Sequence, residues 1–141
     1  MTTFAPHRDT LEAFVDCIHG GADRDVLTRL LAEDVVLHGP FGDEPIVGRD
    51  AAVEAIKTVN GVSSDDTYME VLSGGTHHAA HFRLQVGDAA VNGMFLVRVD
   101  ADGKIADVRI FYRTLPSGVA LQRNLADLIG MQRWELRTDG E

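Results

Sequence analysis

The chain has 141 residues, of which 45% are apolar and 25% charged, and its formal net charge is −9 at pH 7. These values are typical of one globular domain. The acidic balance argues against a nucleic-acid or anionic-membrane partner, because no cluster of basic residues could displace counterions. No apolar run reaches the roughly 18 residues of a membrane span. The N-terminal residues contain neither a basic nor an apolar leader, so we expect a cytoplasmic protein.

The first half of the chain has the apolar periodicity of helices. Residues 7–19 form the first predicted helix, and Asp23 is placed to cap a second. Residues 34–40 are predicted as a short strand, because β-branched residues there end at a Gly-Pro pair. Asp50 is placed to cap a third helix.

From Thr67 onward the apolar period changes to that of strands. Three turn signals, Gly74-Gly75, Gly87-Asp88 and Asp102-Gly103, predict a four-stranded antiparallel meander. Helices followed by a meander indicate an α+β fold with the helices on one sheet face. We therefore expect residues 1–141 to form a single domain, in which residues 116–141 are a C-terminal helical extension.

The register of the meander can be counted if each turn has two central residues. The count gives one apolar face, which should meet the helices; its rows are Met69–Ala80–Phe95–Ile110, Val71–His78–Val97–Val108 and Thr67–Phe82–Gly93–Tyr112. The opposite face is mixed and contains the rows Asp66–Arg83–Asn92–Arg113 and Tyr68–His81–Met94–Phe111, with Leu96 beside the second row. An apolar stripe among charges predicts a homodimer through this outer face. A bulge in any strand would exchange its faces.

Two segments carry a family resemblance, Leu31–Ile56 and Asn92–Arg113. The first of them contains the pattern D-x-x-x-x-G-P-F-G followed by G-R-D. With these segments the chain resembles the nuclear transport factor 2-like superfamily, which includes the ketosteroid isomerases and the SnoaL-like polyketide cyclases. The resemblance implies a curved antiparallel sheet wrapped around helices, which forms a cone with an apolar pocket for a small molecule. Register and resemblance together place these residues at the pocket: Val15, Leu37, Met69, Ala80, Phe82, Leu84, Phe95, Val97, Val108, Ile110 and Tyr112.

The resemblance does not extend to the catalytic residues. In the isomerases an aspartate transfers a proton, while a tyrosine and a protonated carboxylic acid hold the enolate oxygen. The corresponding positions here are Gly39, Val15 and Phe95. The limonene epoxide hydrolases have an acidic residue in the last strand, where this chain has Ile110. The chain is therefore expected to be neither of these enzymes, and the sequence leaves open whether it is an enzyme.

Two residues on the predicted inner face could act chemically. His78 could be a general base, or could point to solvent near the end of the sheet. Tyr112 could donate a hydrogen bond to a ligand, or could be a core tyrosine bonded to the backbone. Among the strand histidines only His77 and His81 share a face, and no third ligand joins them, so neither a metal nor a cofactor is predicted.

Two functions remain open. The first is a protein that binds, and as an enzyme would transform, a small apolar molecule in the cone. The second is a non-catalytic dimeric interaction domain whose cavity is filled by side chains. A cavity of at least about 300 Å³ would favour the first.

The C-terminal stripe Leu121, Leu125, Leu128 and Ile129 predicts a further helix over residues 117–131. This helix could dock over the mouth of the cone, or could pack on the flank of the domain.

Overall fold

The helices and strands of the protein are described here from a computed structural model, which covers residues 7–137. Within that range the elements in chain order are α1 (Arg8–His19), α2 (Arg24–Leu30), β1 (Leu31–His38), β2 (Ile46–Val47), α3 (Arg49–Asn60), β3 (Ser63–Gly74), β4 (His77–Val86), β5 (Ala89–Val99), β6 (Ile105–Arg113) and α4 (Leu115–Ile129). The predicted α+β class is confirmed. The two ends of the predicted single domain, residues 1–6 and 138–141, lie outside the described residues.

Of the two N-cap residues predicted from the sequence, one is confirmed and one is wrong. Asp23 caps α2 as expected, because its Oδ1 accepts a hydrogen bond of 3.1 Å from the backbone N–H of Val26. The prediction that Asp50 caps α3 is wrong, because Gly48 occupies the N-cap position and no side chain caps this helix. Asp50 lies instead in the first turn, where its charge interacts favourably with the helix dipole.

The six strands form one curved, unclosed sheet in the order β2-β1-β6-β5-β4-β3. The antiparallel meander is confirmed for β3 to β6. The sheet as a whole is mixed and not purely antiparallel, because β1 pairs in parallel with β6. A parallel pair needs a long connection, and the chain between these two strands supplies one through α3 and the meander.

The counted register is correct for β4 with β5, where Phe82 pairs with Gly93 and Ala80 with Phe95. It also holds for β5 with β6, up to a shift between Arg98 and Val99 near the turn. The turn between β4 and β5 has the two central residues that were assigned, Gly87 and Asp88. The turn between β5 and β6 is one residue longer than assigned, because Asp100 bonds Lys104 across residues 101–103, and the shift between Arg98 and Val99 restores the counted pairs.

The register of β3 was wrong. Gly74 pairs with His77, so the turn is centred on Gly75 and Thr76, and Val71 pairs with Ala80 instead of His78. The strand also contains two irregularities, one between Tyr68 and Glu70 and one between Ser64 and Thr67. The irregularity between Tyr68 and Glu70 turns Tyr68 toward the helices. It leaves Met69 on the outer face of the sheet, with 47% of its surface exposed.

The helices cover the inner face of the sheet and create the core. Leu11 and Phe14 of α1 are fully buried against the sheet in a first cluster. Leu121 and Leu125 of α4 are fully buried in a second cluster, together with Phe82. None of the helices within residues 7–137 combines the length and the apolarity that crossing a membrane would require.

Candidate functional site

A cavity of about 620 Å³ lies between the inner sheet face and the helices α1, α3 and α4. Its wall contains seven of the residues that the sequence analysis placed at the pocket: Leu37, Phe82, Leu84, Phe95, Val108, Ile110 and Tyr112. Other apolar residues complete the wall: Phe14, Ile18, Phe41, Ile46, Ile56, Val59, Leu125, Leu128, Ile129 and Met131. The space is large enough for a small organic molecule.

The remaining predicted pocket residues lie elsewhere. Val15, Ala80 and Val97 are buried in the first core cluster and not at the cavity surface, because α1 packs directly on that part of the sheet. Met69 is on the opposite side of the sheet, because the irregularity in β3 reverses its direction. The sequence count could not detect a local change of alternation within a strand.

Aromatic rings form one side of the cavity. Phe82 and Phe95 stack with their ring centroids 4.5 Å apart, and Phe82 meets Tyr112 edge-on at 6.2 Å. Phe41 contacts Tyr112 edge-on at 5.6 Å from the loop that follows β1. These contacts fix the shape of the wall, since aromatic pairs are favourable beyond their buried area.

The loop Gly39–Asp43 separates this cavity from a second one, of about 560 Å³, which Leu115 and Trp134 also line. Phe41 in that loop packs edge-on against Trp134, with 5.6 Å between ring centroids. The buried side chain of Gln122 holds the segment of Trp134 in place: it donates to Gln132 O at 2.8 Å and accepts from Trp134 N at 2.9 Å. The sequence analysis did not identify this arrangement, because none of its residues belongs to a periodic pattern.

Helix α4 forms part of the cavity wall through Leu125, Leu128 and Ile129. It also packs on β4, β5 and β6. Of the two predicted positions for this helix, the structure therefore places it at the cavity, within the same chain.

Tyr112, one of the two candidate catalytic residues, lines the cavity. Burial, together with the nearby negative charge of Asp66, raises the pKa of its phenol well above the usual range. The same two causes, with Tyr112 itself a smaller contributor, raise the pKa of Tyr68. Both phenols therefore keep their protons at neutral pH, so Tyr112 can donate a hydrogen bond to a molecule in the cavity.

His78, the other candidate, does not line the cavity. It faces the helices as counted, but it is 1% exposed, and its Nδ1 lies 2.8 Å from Ser73 Oγ. The expectation that it could point to solvent is therefore wrong. His78 belongs to the packed end of the sheet, away from any molecule bound in the cavity.

Asp66 is a cavity residue that the sequence analysis placed on the outer face. Asp65 and Asp66 fall within the irregularity between Ser64 and Thr67, and Asp65 has a left-handed backbone with φ of 53°. Aspartate tolerates that conformation better than most residues do. The polar run Ser63–Asp66, placed ahead of an alternating strand, was the signal that could have suggested a bulge.

The environment of Asp66 disfavours its charged form. Burial raises the pKa of this carboxyl; the hydrogen bond from Ser63 Oγ, at 3.3 Å, and the nearby His19 oppose the increase. The other carboxyl oxygen, Oδ1, is shielded from solvent and has no hydrogen-bond partner within residues 7–137. Asp66 thus combines an acceptor oxygen that has no partner among the described residues with a side chain that lines an apolar cavity.

The cone-shaped sheet, the helices on its inner face and the cavity between them define the nuclear transport factor 2-like class of α+β proteins. The profile of the SnoaL-like domain family matches residues 11–108, and the chain belongs to that family. A comparison with curated proteins finds no match.

Among solved structures, the chain is similar to a steroid delta-isomerase from Pseudomonas aeruginosa, with 26% identity, a TM-score of 0.81 and coverage of 90% of this chain and 96% of that one. It is also similar to a protein with a cystatin-like fold from Silicibacter pomeroyi, with 25% identity, a TM-score of 0.80 and coverage of 89% and 88%. An epoxide hydrolase of M. tuberculosis shares the fold at 20% identity, with a TM-score of 0.63 and coverage of 88% and 95%.

Proposed function

We propose that this protein binds a small, largely apolar molecule in the cavity between its sheet, α3 and α4. The proposal rests chiefly on the cavity volume of about 620 Å³, which is roughly twice the lower limit of ordinary ligand pockets. The alternative of a cone filled by its own side chains is disfavoured by this volume.

Any chemistry in the cavity would differ from that of a ketosteroid isomerase. Of the three positions where the family resemblance implies a base or an oxyanion donor, Gly39 and Phe95 line the cavity, and Val15 is buried in the core. None of them can transfer or donate a side-chain proton. General-base and oxyanion groups each contribute factors of about a hundred or more to rate. We therefore expect turnover of a 3-oxo-Δ5-steroid far below that of a true isomerase, and turnover within tenfold of one would contradict this part of the proposal.

The binding proposal can be tested with a polarity-sensitive naphthalene fluorophore such as 6-propionyl-2-(dimethylamino)naphthalene. Ala55 on α3 lines the cavity and is half-buried, so the larger side chain of Ala55→Phe should occupy part of the space and weaken probe binding at least about tenfold. Ala51→Phe is the matched control, because Ala51 is exposed on the same helix and does not line the cavity. Equal binding by all three proteins would overturn the proposal.

We also propose that the protein forms a homodimer through its outer sheet face. The support is three exposed apolar residues on the outer face of β3, β5 and β6: Leu72 (61% exposed), Met94 (40%) and Phe111 (51%). Met94 and Phe111 are direct cross-strand partners, so their side chains are adjacent. Exposed apolar groups of this kind on a soluble protein often mark interaction surfaces.

A further inference from the structure

We infer that the molecule bound in the cavity is an apolar compound carrying a basic amine, whose ammonium group pairs with the carboxylate of Asp66. The inference rests on the proposed function and assigns it a class of ligand.

The charged side chains of the cavity wall are all acidic. They are Asp43, Glu44, Glu54 and Asp66, and no lysine, arginine or histidine lines the cavity among residues 7–137. A ligand carboxylate would therefore meet only like charge among the charged side chains of the wall. An ammonium group would meet charge of the opposite sign wherever it entered.

These acidic groups lie at two depths. Asp43 and Glu44 are exposed in the loop after β1, and within the described part of the chain no ion pair neutralises them. Glu54 is paired with Arg24, so its charge is largely compensated. The exposed carboxylates, together with the net charge of −9, would attract a cation toward the opening. Asp66 is less exposed than these residues. It lies near the start of β3, close to Ser63 and Asn60, which line the same cavity.

Asp66 is the residue that a bound cation would satisfy. Its carboxyl accepts one side-chain hydrogen bond, from Ser63 at 3.3 Å, and its Oδ1 has no partner among the described residues. Its pKa is raised by burial, so the ionised form lacks the solvation that it would have in water. An ammonium group supplies both the opposite charge and N–H donors, which makes a charge-assisted hydrogen bond.

The apolar part of the wall suits the remainder of such a ligand. Phe82, Phe95 and Tyr112 present aromatic rings to the cavity. Aromatic faces attract cations through their quadrupole, and they also bury hydrocarbon. The cavity can therefore hold an alkyl or aryl body while the amine remains close to Asp66.

The test uses three naphthalenes that share one ring system and carry a cationic, a neutral and an anionic one-carbon substituent at the same position: 2-(aminomethyl)naphthalene, 2-naphthylmethanol and 2-naphthoate. Their affinities are measured at pH 7 by displacement of the neutral naphthalene fluorophore. For the wild-type protein we expect the amine to bind at least about tenfold more tightly than the alcohol, and the carboxylate to bind more weakly than both.

Asp66→Asn keeps the size of the side chain and removes its charge. We expect this variant to bind the amine and the alcohol with affinities within about twofold of each other, while its affinity for the alcohol stays close to that of the wild-type protein. Asp65→Asn is the matched control, because Asp65 is the exposed neighbour, does not line the cavity and shares the same bulge. This control should keep the preference for the amine.

The outcomes separate the two proposals. If the alcohol binds the wild-type protein and the amine binds no more tightly, the inference fails while the proposed function stands. If none of the three naphthalenes binds, the proposed function itself fails. If Asp66→Asn retains the full preference for the amine, the assignment to Asp66 is wrong. The wild-type order of affinities tests the charge preference even if a variant does not fold.

Discussion

The ring of Phe82 lies directly over Gly93, its cross-strand partner on β5. A Cβ atom added to Gly93 would come within 2.5 Å of Phe82 Cζ and 2.9 Å of the carbonyl oxygen of Phe111. Real Cβ atoms do not approach other heavy atoms so closely, so the ring can occupy this place only because residue 93 has no side chain. The position of Phe82, and with it the stack on Phe95, therefore depends on a glycine in the neighbouring strand.

Gly93→Ala is expected to push Phe82 toward the cavity and to strain β5. We predict a loss of about 1–3 kcal/mol in the free energy of unfolding, typical of overpacking, together with weaker binding of the naphthalene fluorophore. Urea denaturation and probe titration measure the two effects. Gly74→Ala is the control, because Gly74 is also a strand glycine, does not line the cavity, and a Cβ there would meet no atom within 4 Å. Unchanged stability in Gly93→Ala would show that Phe82 moves aside without cost.

Asp66→Asn should stabilise the protein at neutral pH. The folded-state pKa of Asp66 lies above its unfolded value, so this residue contributes most to stability below the unfolded pKa, near 3.9, and loses that contribution as the pH rises through the folded value. Asparagine does not titrate. The free energy of unfolding of Asp66→Asn relative to wild type should therefore be higher at pH 7 than at pH 3.5, as measured by urea titration. A difference that does not change between these two pH values would contradict the raised pKa.

The sequence predicted the inner face of β4, β5 and β6 correctly. The turn at Gly87-Asp88 is tight, and counting residues outward from the turns gives most of the pairs that β5 makes with β4 and β6. The same method misplaced Asp66, Tyr68 and Met69, because the alternation of β3 changes twice within a few residues. Bulges are determined by local backbone conformation and by the fit to a partner strand, and neither is visible in a hydrophobic pattern. The volume of the cavity could not be predicted from the sequence either, because it depends on how α4 and the loop that contains Phe41 pack against the sheet.

Phe111→Asp should convert the proposed dimer to monomer. A carboxylate at position 111, beside Met94, would have to be desolvated in the interface, which costs several kcal/mol when it is unpaired. Sedimentation velocity measures the change. Val47→Asp is the control, because Val47 is similarly exposed, at 64%, on the β2 edge of the sheet. A dimer that persists in Phe111→Asp would locate the interface elsewhere.

Leu128→Ala should accelerate exchange of a bound probe without unfolding the protein. Leu128 lines the cavity from α4 but is 53% exposed, so shortening it opens the wall and removes little of the core. Stopped-flow dissociation of the fluorophore should be about twofold to tenfold faster than in the wild-type protein, with unfolding changed by less than ~1 kcal/mol. Leu125→Ala is the contrasting variant: Leu125 is 1% exposed, and its loss should cost about 2–5 kcal/mol. An unchanged dissociation rate in Leu128→Ala would indicate that the probe enters by another route.

The two irregularities in β3 mean that the length of this strand, as well as its composition, determines the character of the cavity. Removing one residue between Asp65 and Met69 would restore alternation over part of the strand and move side chains from one side of the sheet to the other. Asp66 could thus leave the cavity wall, and Met69 could turn toward the helices, without any substitution. Small insertions and deletions in β3 are therefore a route by which a sheet of this shape can change the charge of the molecule it accepts.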